Sequence, residues 1–339
     1  MAEDKLKDLI IGESSKPQGL LYHYTTQRGL IGIISTKSIW ATHYQYLNDW
    51  LEIQDAYQKI YVNAIVEKLT YSEDMNKELY EFIKKNLIEH ANLYDVFLMS
   101  FSDDVKALRG KKQSEYAENK ESEYAGNRLS QWRAYSNHIG GYSIGFDYDQ
   151  LKKIGLNAKT NLVSVEQYIR QCIYVREEKD SIATKIGKLT AEKLSEGINE
   201  INSETQNLVD SNRIISNIAS HTVSSLKEAY HKKAISFKDE GFWEECEWRM
   251  VIYASKQELE EKDKNSDDPI VHHREGAHGI TPYVVVPFNS DNISNGLIRS
   301  ITIGPSRNQS AEEETLHRLL KQYGYKDVDI KVSKTPYRV

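Results

Sequence analysis

The chain has 339 residues, more than the usual single domain, so one large domain or two modest ones would fit. Only 39% of residues are hydrophobic, but 22 Tyr and 5 Trp are among them, so rings that carry a polar atom must supply much of the buried surface. With 28% charged residues and a net charge of −6, broad sequence-independent DNA binding through a dense Lys/Arg surface is excluded, while a local basic groove stays open.

Two cysteines, Cys172 and Cys246, make neither a disulfide framework nor a zinc spacing, and they read as reduced, buried thiols of a cytoplasmic protein. The N-terminal MAEDKLKDLIIGESS lacks the apolar core of a signal peptide, and no run approaches the apolar length of a membrane span. No membrane association is expected.

Residues 19–49 read as strand, helix, strand: GLLYHYT is short and aromatic, Leu30, Ile31, Ile33 and Ile34 follow at helical spacing, and IWATHYQYL returns to extended form. Two helices are predicted over 50–95, and VFLMSFS (96–102) reads as a buried strand. Residues 103–128 are polar and contain SEYA twice, at 114–117 and 122–125, which suits an insertion loop better than a repeat array. LSQWRAY leads to the Gly-Gly turn and alternating strand of GGYSIGFDYD, and QCIYV (171–175) is a further strand. A helical insertion is expected over 180–235. FWEECEWRMVIYA is strongly β-type, VHHREGAHG reads as a polar loop, and PYVVVPF, LIRSITIGP and VDIKVS are three more strands. The helix AEEETLHRLLKQYG lies between the last two, with Gly324 as its stop. Without strict βαβ alternation, the expected fold is a single α+β domain over 1–339, with a mixed, mostly antiparallel sheet and helical insertions.

Four polar clusters could carry chemistry. In LYHYTT, His23 and Thr25 share one face of a strand that feeds a helix N-terminus, a junction suited to an anion; Tyr24 points the other way. A core histidine and a Thr N-cap explain the same residues. In HYQYLNDWLE, Asn48 either holds a ligand or caps a helix, with Glu52 completing a capping box. SQWRAY gathers Gln131, Trp132, Arg133 and Tyr135, a fork for carboxylate or phosphate beside stacking rings, or else a structural pair with a packed Trp. If EECEWR is extended, Glu245, Glu247 and Arg249 line one face, which is costly to bury without full pairing or a task. A carboxylate against a ribose can stabilise an oxocarbenium-like centre, as cleavage of a glycosidic bond demands. His272, His273 and His278 lack an acidic or cysteine partner at a recognised spacing, so no metal is expected. P-loop, GxGxxG, GxSxG and HExxH motifs are absent from the sequence.

Taken in order, LYHYTTQRGLIGII, YLNDWLE, LMSFS, LSQWRAY with GYSIGFD, EECEWR, REGAHGITPYV, ITIGP and SKTPYR resemble a bacterial domain family of unknown function, across about residues 20 to 338. The polar stretch 103–128 departs from that pattern and looks like an insertion. More distantly, the opening resembles ADP-ribosyltransferase-type NAD-binding domains. That resemblance implies an ADP-ribosyltransferase-like core with NAD as substrate. His23 would meet the adenosine ribose and Glu247 the nicotinamide ribose, with Glu245 as companion and possible general base. Tyr46, Trp132 or Tyr135 would pack on the nicotinamide, and Arg249 accompanies Glu247. It implies ADP-ribosyl transfer to protein or nucleic acid, or NAD glycohydrolysis, in a toxin or anti-phage effector. On this reading Glu247→Gln abolishes nicotinamide release and leaves the fold intact. Three other readings remain: a non-catalytic nucleotide or nucleic-acid sensor, a Mg²⁺-dependent nuclease using Glu245, Glu247 and Asp49, and an interaction scaffold docking through the SEYA loop. The sequence leaves the oligomeric state open.

Overall fold

The computed structural model describes residues 16–17, 19–47, 77, 81–82, 85, 93–103, 125–136, 140–155, 165–204, 233–264, 266–276 and 279–335. The expectations for Asn48, Asp49, the helices over 50–95, most of the SEYA loop, residues 205–232 and His278 concern residues outside these. The chain packs as two units, one of Met1–Ser14, Asn48–Tyr94 and Cys172–Gly241, the other of Ser15–Leu47, Asp95–Gln171 and Phe242–Val339.

The second unit opens with strand β1 (Leu21–Thr25), helix α1 (Gln27–Thr36) and strand β2 (Ser38–His43), as the alternation and the 3.6-residue spacing predict. Thr26 is the Thr N-cap of α1, its side chain accepting from the Gly29 N–H at 3.2 Å. Leu30, Ile33 and Ile34 are buried, while Ile31 is exposed. Then come β3 (Tyr94–Ser102), α2 (Leu129–Tyr135), β4 (Tyr142–Phe146), the short α3 (Tyr148–Leu151) and β5 (Val165–Gln171). β6 (Glu247–Ser255), α5 (Lys256–Lys264), the hairpin of β7 (Val271–Gly276) and β8 (Gly279–Pro287), α6 (Ser290–Ser294), β9 (Ile298–Ile303), α7 (Gln309–Gln322) and β10 (Asp329–Val332) complete it. α7 ends as expected ahead of Gly324, at φ 81°. In the first unit, helix α4 runs Arg176–Glu204, and Ile173 bridges Phe237 in parallel.

Ten strands form one sheet, in the order β10-β9-β4-β1-β3-β2-β8-β7, with β6 on β3 and β5 on β6. β10 runs parallel to β9, and antiparallel pairs dominate the rest, so the expected α+β class with a mixed, mostly antiparallel sheet is present. One face carries the main core, with Leu21, Ile39, Phe97, Phe101, Ile144, Trp248, Met250, Val284 and Ile301 among its members.

Three sequence expectations need correction. QCIYV is not a sheet strand; the strand lies earlier, at β5, and only Ile173 makes an isolated bridge. VHHREG is not a loop but strand β7, whose hairpin pairing with β8 outweighs its polarity. EECEWR is not extended throughout. A 3-10 turn covers Glu240–Glu245, Cys246 sits at φ 44°, and the strand begins at Glu247. A left-handed residue breaks the two-residue alternation, so Glu245 does not line up with Glu247 and Arg249.

Candidate functional site

β3 has three partners, β1, β2 and β6, but a strand has only two edges. β1 meets it at Ser102, and β2 meets it at Phe97 and Leu98, so these two occupy successive stretches of one edge. The other edge belongs to β6, towards which the Asp103 N–H bonds the Cys246 carbonyl at 3.1 Å. The sheet therefore forks on one side of β3, and Ser100 sits between the two footholds.

Ser100 is also where the two leading candidates meet. Its carbonyl lies 3.0 Å from His23 Nδ1, and its hydroxyl donates to Glu247 Oε1 at 2.5 Å. Alternation places His23 with Phe101 on the core side, their rings edge to face at 6.1 Å, and Glu247 with Ser100 on the opposite side. A carbonyl oxygen lies in the plane of the sheet, so one residue can bond both.

The protonation of His23 follows from its partner. A carbonyl only accepts, so Nδ1 carries the proton and Nε2 keeps a lone pair for an incoming donor. Burial pushes the imidazole below its ordinary value, the Ser100 bond opposes that, and the charge of Arg274 adds to it. His23 is a neutral acceptor at neutral pH.

Glu247 and Arg249 are 3% and 1% exposed. They form a two-pronged pair, Nε to Oε1 at 2.9 Å and the terminal nitrogen to Oε2 at 3.2 Å. Their opposite neighbours on β6, Trp248 and Met250, belong to the core, so the strand is buried on both faces. Arg128, missed in the sequence, anchors the approach to Glu247. Its guanidinium donates to the carbonyls of Glu244 at 2.8 Å, Glu245 at 3.3 Å and Asp103. That clamp ties the end of β3 to the start of β6.

The remaining candidates divide. Tyr24 is buried; its hydroxyl donates to the Ala125 carbonyl at 2.6 Å and accepts from the Arg128 N–H at 2.8 Å. Its ring meets Trp132 edge-on at 4.7 Å, and Trp132 donates to Asn127 Oδ1 at 3.0 Å. Gln131 is buried beside Ser102, whose hydroxyl lies 3.4 Å from its amide oxygen. Arg133 and Tyr135 are exposed. Thr25 packs so tightly on α1 that a Cβ at Gly29 would come 2.0 Å from its Oγ1. Tyr46 follows β2 in a 3-10 turn, its ring 5.9 Å from that of His43, which pairs through Nε2 with Asp95 at 3.1 Å. Thus His23, Ser100, Glu247 and Arg249 come together, and the SQWRAY residues divide between packing and surface.

The comparisons bear on part of this region. A family model described as a protein of unknown function (DUF2971) matches residues 131–250. That span takes in α2 from Gln131 onward and the start of β6, including Glu247 and Arg249, and it excludes His23 and Ser100. Searches of the curated proteins and of the solved structures returned no match.

A second polar surface, also missed in the sequence, lies on the arm of the fork formed by β2, β8 and β7. Trp40 and Thr42 alternate with buried Ile39 and Ala41. Thr42 pairs with Tyr283 and Tyr283 with His272 across three strands. Arg274 donates to Thr42 Oγ1 at 2.9 Å, and its guanidinium carbon lies 5.9 Å from the ring centres of both Trp40 and Tyr283. Among the described residues, no group of three or more His, Cys, Asp or Glu side chains could hold a metal ion. Likewise, no described helix is long and apolar enough to cross a membrane.

Proposed function

We propose that the protein binds NAD and breaks the bond between nicotinamide and ribose, passing the ADP-ribosyl group to a protein or nucleic-acid acceptor or to water. The observation that carries this reading is Ser100, which bonds His23 through its carbonyl and Glu247 through its hydroxyl. A neutral imidazole with a free Nε2 lone pair suits a ribose hydroxyl of the adenosine half. Because His23 and Glu247 lie on opposite sides of the sheet, this reading requires the ligand to pass through the fork beside Ser100. Glu247, paired with Arg249, is suited to a hydroxyl of the nicotinamide ribose as positive charge develops at its anomeric carbon. The carbon–nitrogen bond breaks with its electron pair leaving on nicotinamide, and an acceptor oxygen or water attacks and releases a proton. The motif resemblance to ADP-ribosyltransferase-type domains supports the same reading, under which the protein would act as a cytoplasmic toxin or anti-phage effector.

The test is release of free nicotinamide from NAD. Ser100→Ala keeps the Glu247–Arg249 pair but removes the hydroxyl that bonds Oε1, and should lower turnover at least about tenfold for the loss of a charge-assisted bond. Glu247→Gln should abolish release. It should also cost about 3–5 kcal/mol of stability, because it breaks a buried, two-pronged ion pair. A folded Glu247→Gln protein with full turnover overturns the mechanism.

One observation favours a second reading, a nucleotide sensor without chemistry: both Glu247 oxygens are already engaged, by Ser100 and Arg249. Thermal stabilisation by NAD with no nicotinamide released would decide for it. The magnesium reading loses its shared carboxylate face, since Glu245 lies in the 3-10 turn before β6.

A further inference from the structure

We propose that Arg274, Trp40 and Tyr283 form the seat for the adenosine-phosphate half of the ligand, the guanidinium taking the phosphate and Trp40 stacking the base. For the rest of the ligand, this rests on the dinucleotide reading above.

The first support is the state of Arg274. Its hydrogen bond is to the neutral hydroxyl of Thr42, and no carboxylate pairs with it among the described residues. Partial burial pulls the exposed guanidinium below its ordinary value, Tyr283 opposes that shift, and no described carboxylate offers the charge compensation. An anion would supply that compensation, and a planar fork suits a phosphate.

The second support is the ring surface beneath it. Trp40 and Tyr283 lie 4.5 Å apart at an interplanar angle of 31°, and His272 continues the row 5.5 Å from Tyr283. Trp40 is 41% exposed on a sheet face whose alternate residues are fully buried, so a large ring faces outward where a polar residue would be expected. Exposed rings beside a cation are the recurring means of stacking a base.

The third support is position. Arg274 is close enough to His23 for its charge to oppose protonation of that imidazole. Thr42 pairs with Leu98, which puts it diagonal to Ser100 at about 7–8 Å across the strands. Trp40, Thr42 and Arg274 thus share the sheet face of Ser100 and Glu247.

Calorimetric titration of the full chain with AMP and with adenosine tests this. Wild type should bind AMP more tightly than adenosine. Arg274→Gln should weaken AMP by about 10- to 100-fold and leave adenosine unchanged, while Arg274→Lys, which keeps the charge, retains part of the phosphate preference. Trp40→Ala should weaken both ligands together, by about 5- to 100-fold. Melting temperatures without ligand establish that these surface variants stay folded. Absence of AMP binding to wild type, an unchanged AMP-to-adenosine ratio in Arg274→Gln, or unchanged affinities in Trp40→Ala each overturn the assignment. If AMP binds as described while NAD releases no nicotinamide, the glycosidic reading falls and this seat stands. Nicotinamide release with an AMP-to-adenosine ratio indifferent to Arg274 gives the reverse.

Discussion

Tyr24 and His23 are chain neighbours on one strand, yet they belong to regions built on opposite terms. Around Tyr24 the polar groups are consumed internally: its hydroxyl serves Ala125 and Arg128, and Trp132 is satisfied by Asn127. Around His23 one ring nitrogen holds Ser100 and the other keeps its lone pair. The first region fixes a corner of the fold, and the second offers chemistry. A motif dense in aromatic and polar residues need not be a binding site as a whole; which face each residue takes decides.

That contrast can be broken by mutation. The largest effect should come from Trp132→Ala, a fully buried ring whose removal costs about 3–5 kcal/mol in urea denaturation. Retained stability would mean that the corner is not what holds α2 against β1. Tyr24→Phe should cost about 1–3 kcal/mol, since it removes two buried hydrogen bonds, one to the Ala125 carbonyl and one from the Arg128 N–H. The smallest effect belongs to His23. Its folded-state value lies below 6.5, the ordinary value that the unfolded chain should show. Between those two values the unfolded chain binds a proton that the folded chain refuses, so stability falls as pH drops from about 6.5 and levels off below the folded value. His23→Gln should flatten that slope in urea midpoints taken across the range, and an unchanged slope would mean that another group titrates.

Local order was legible where one period ran unbroken. β1, α1 and β2, the alternation that sets Glu247 and Arg249 on one side of β6, and the helix ending before Gly324 all follow from spacing and end signals. The fold class followed from the mixture of elements. What stayed hidden depended on pairing between distant segments. Ser100 looks like one small residue in an apolar run until β3 is known to carry a fork. Arg274 sat in what read as a polar loop, and only its hairpin with β8 brings it over Trp40, more than two hundred residues earlier. The left-handed turn at Cys246 was invisible because nothing in a cysteine announces it, whereas a glycine would have.

β7 ends the path of the sheet and is paired along one side, with β8, among the described strands. A strand held from one flank is the first to fray, and its amides should exchange with solvent ahead of those of β1 or β4. Arg274 rides on that strand. A ligand bound there would draw on the population in which the hairpin is closed, and would in turn hold the hairpin shut.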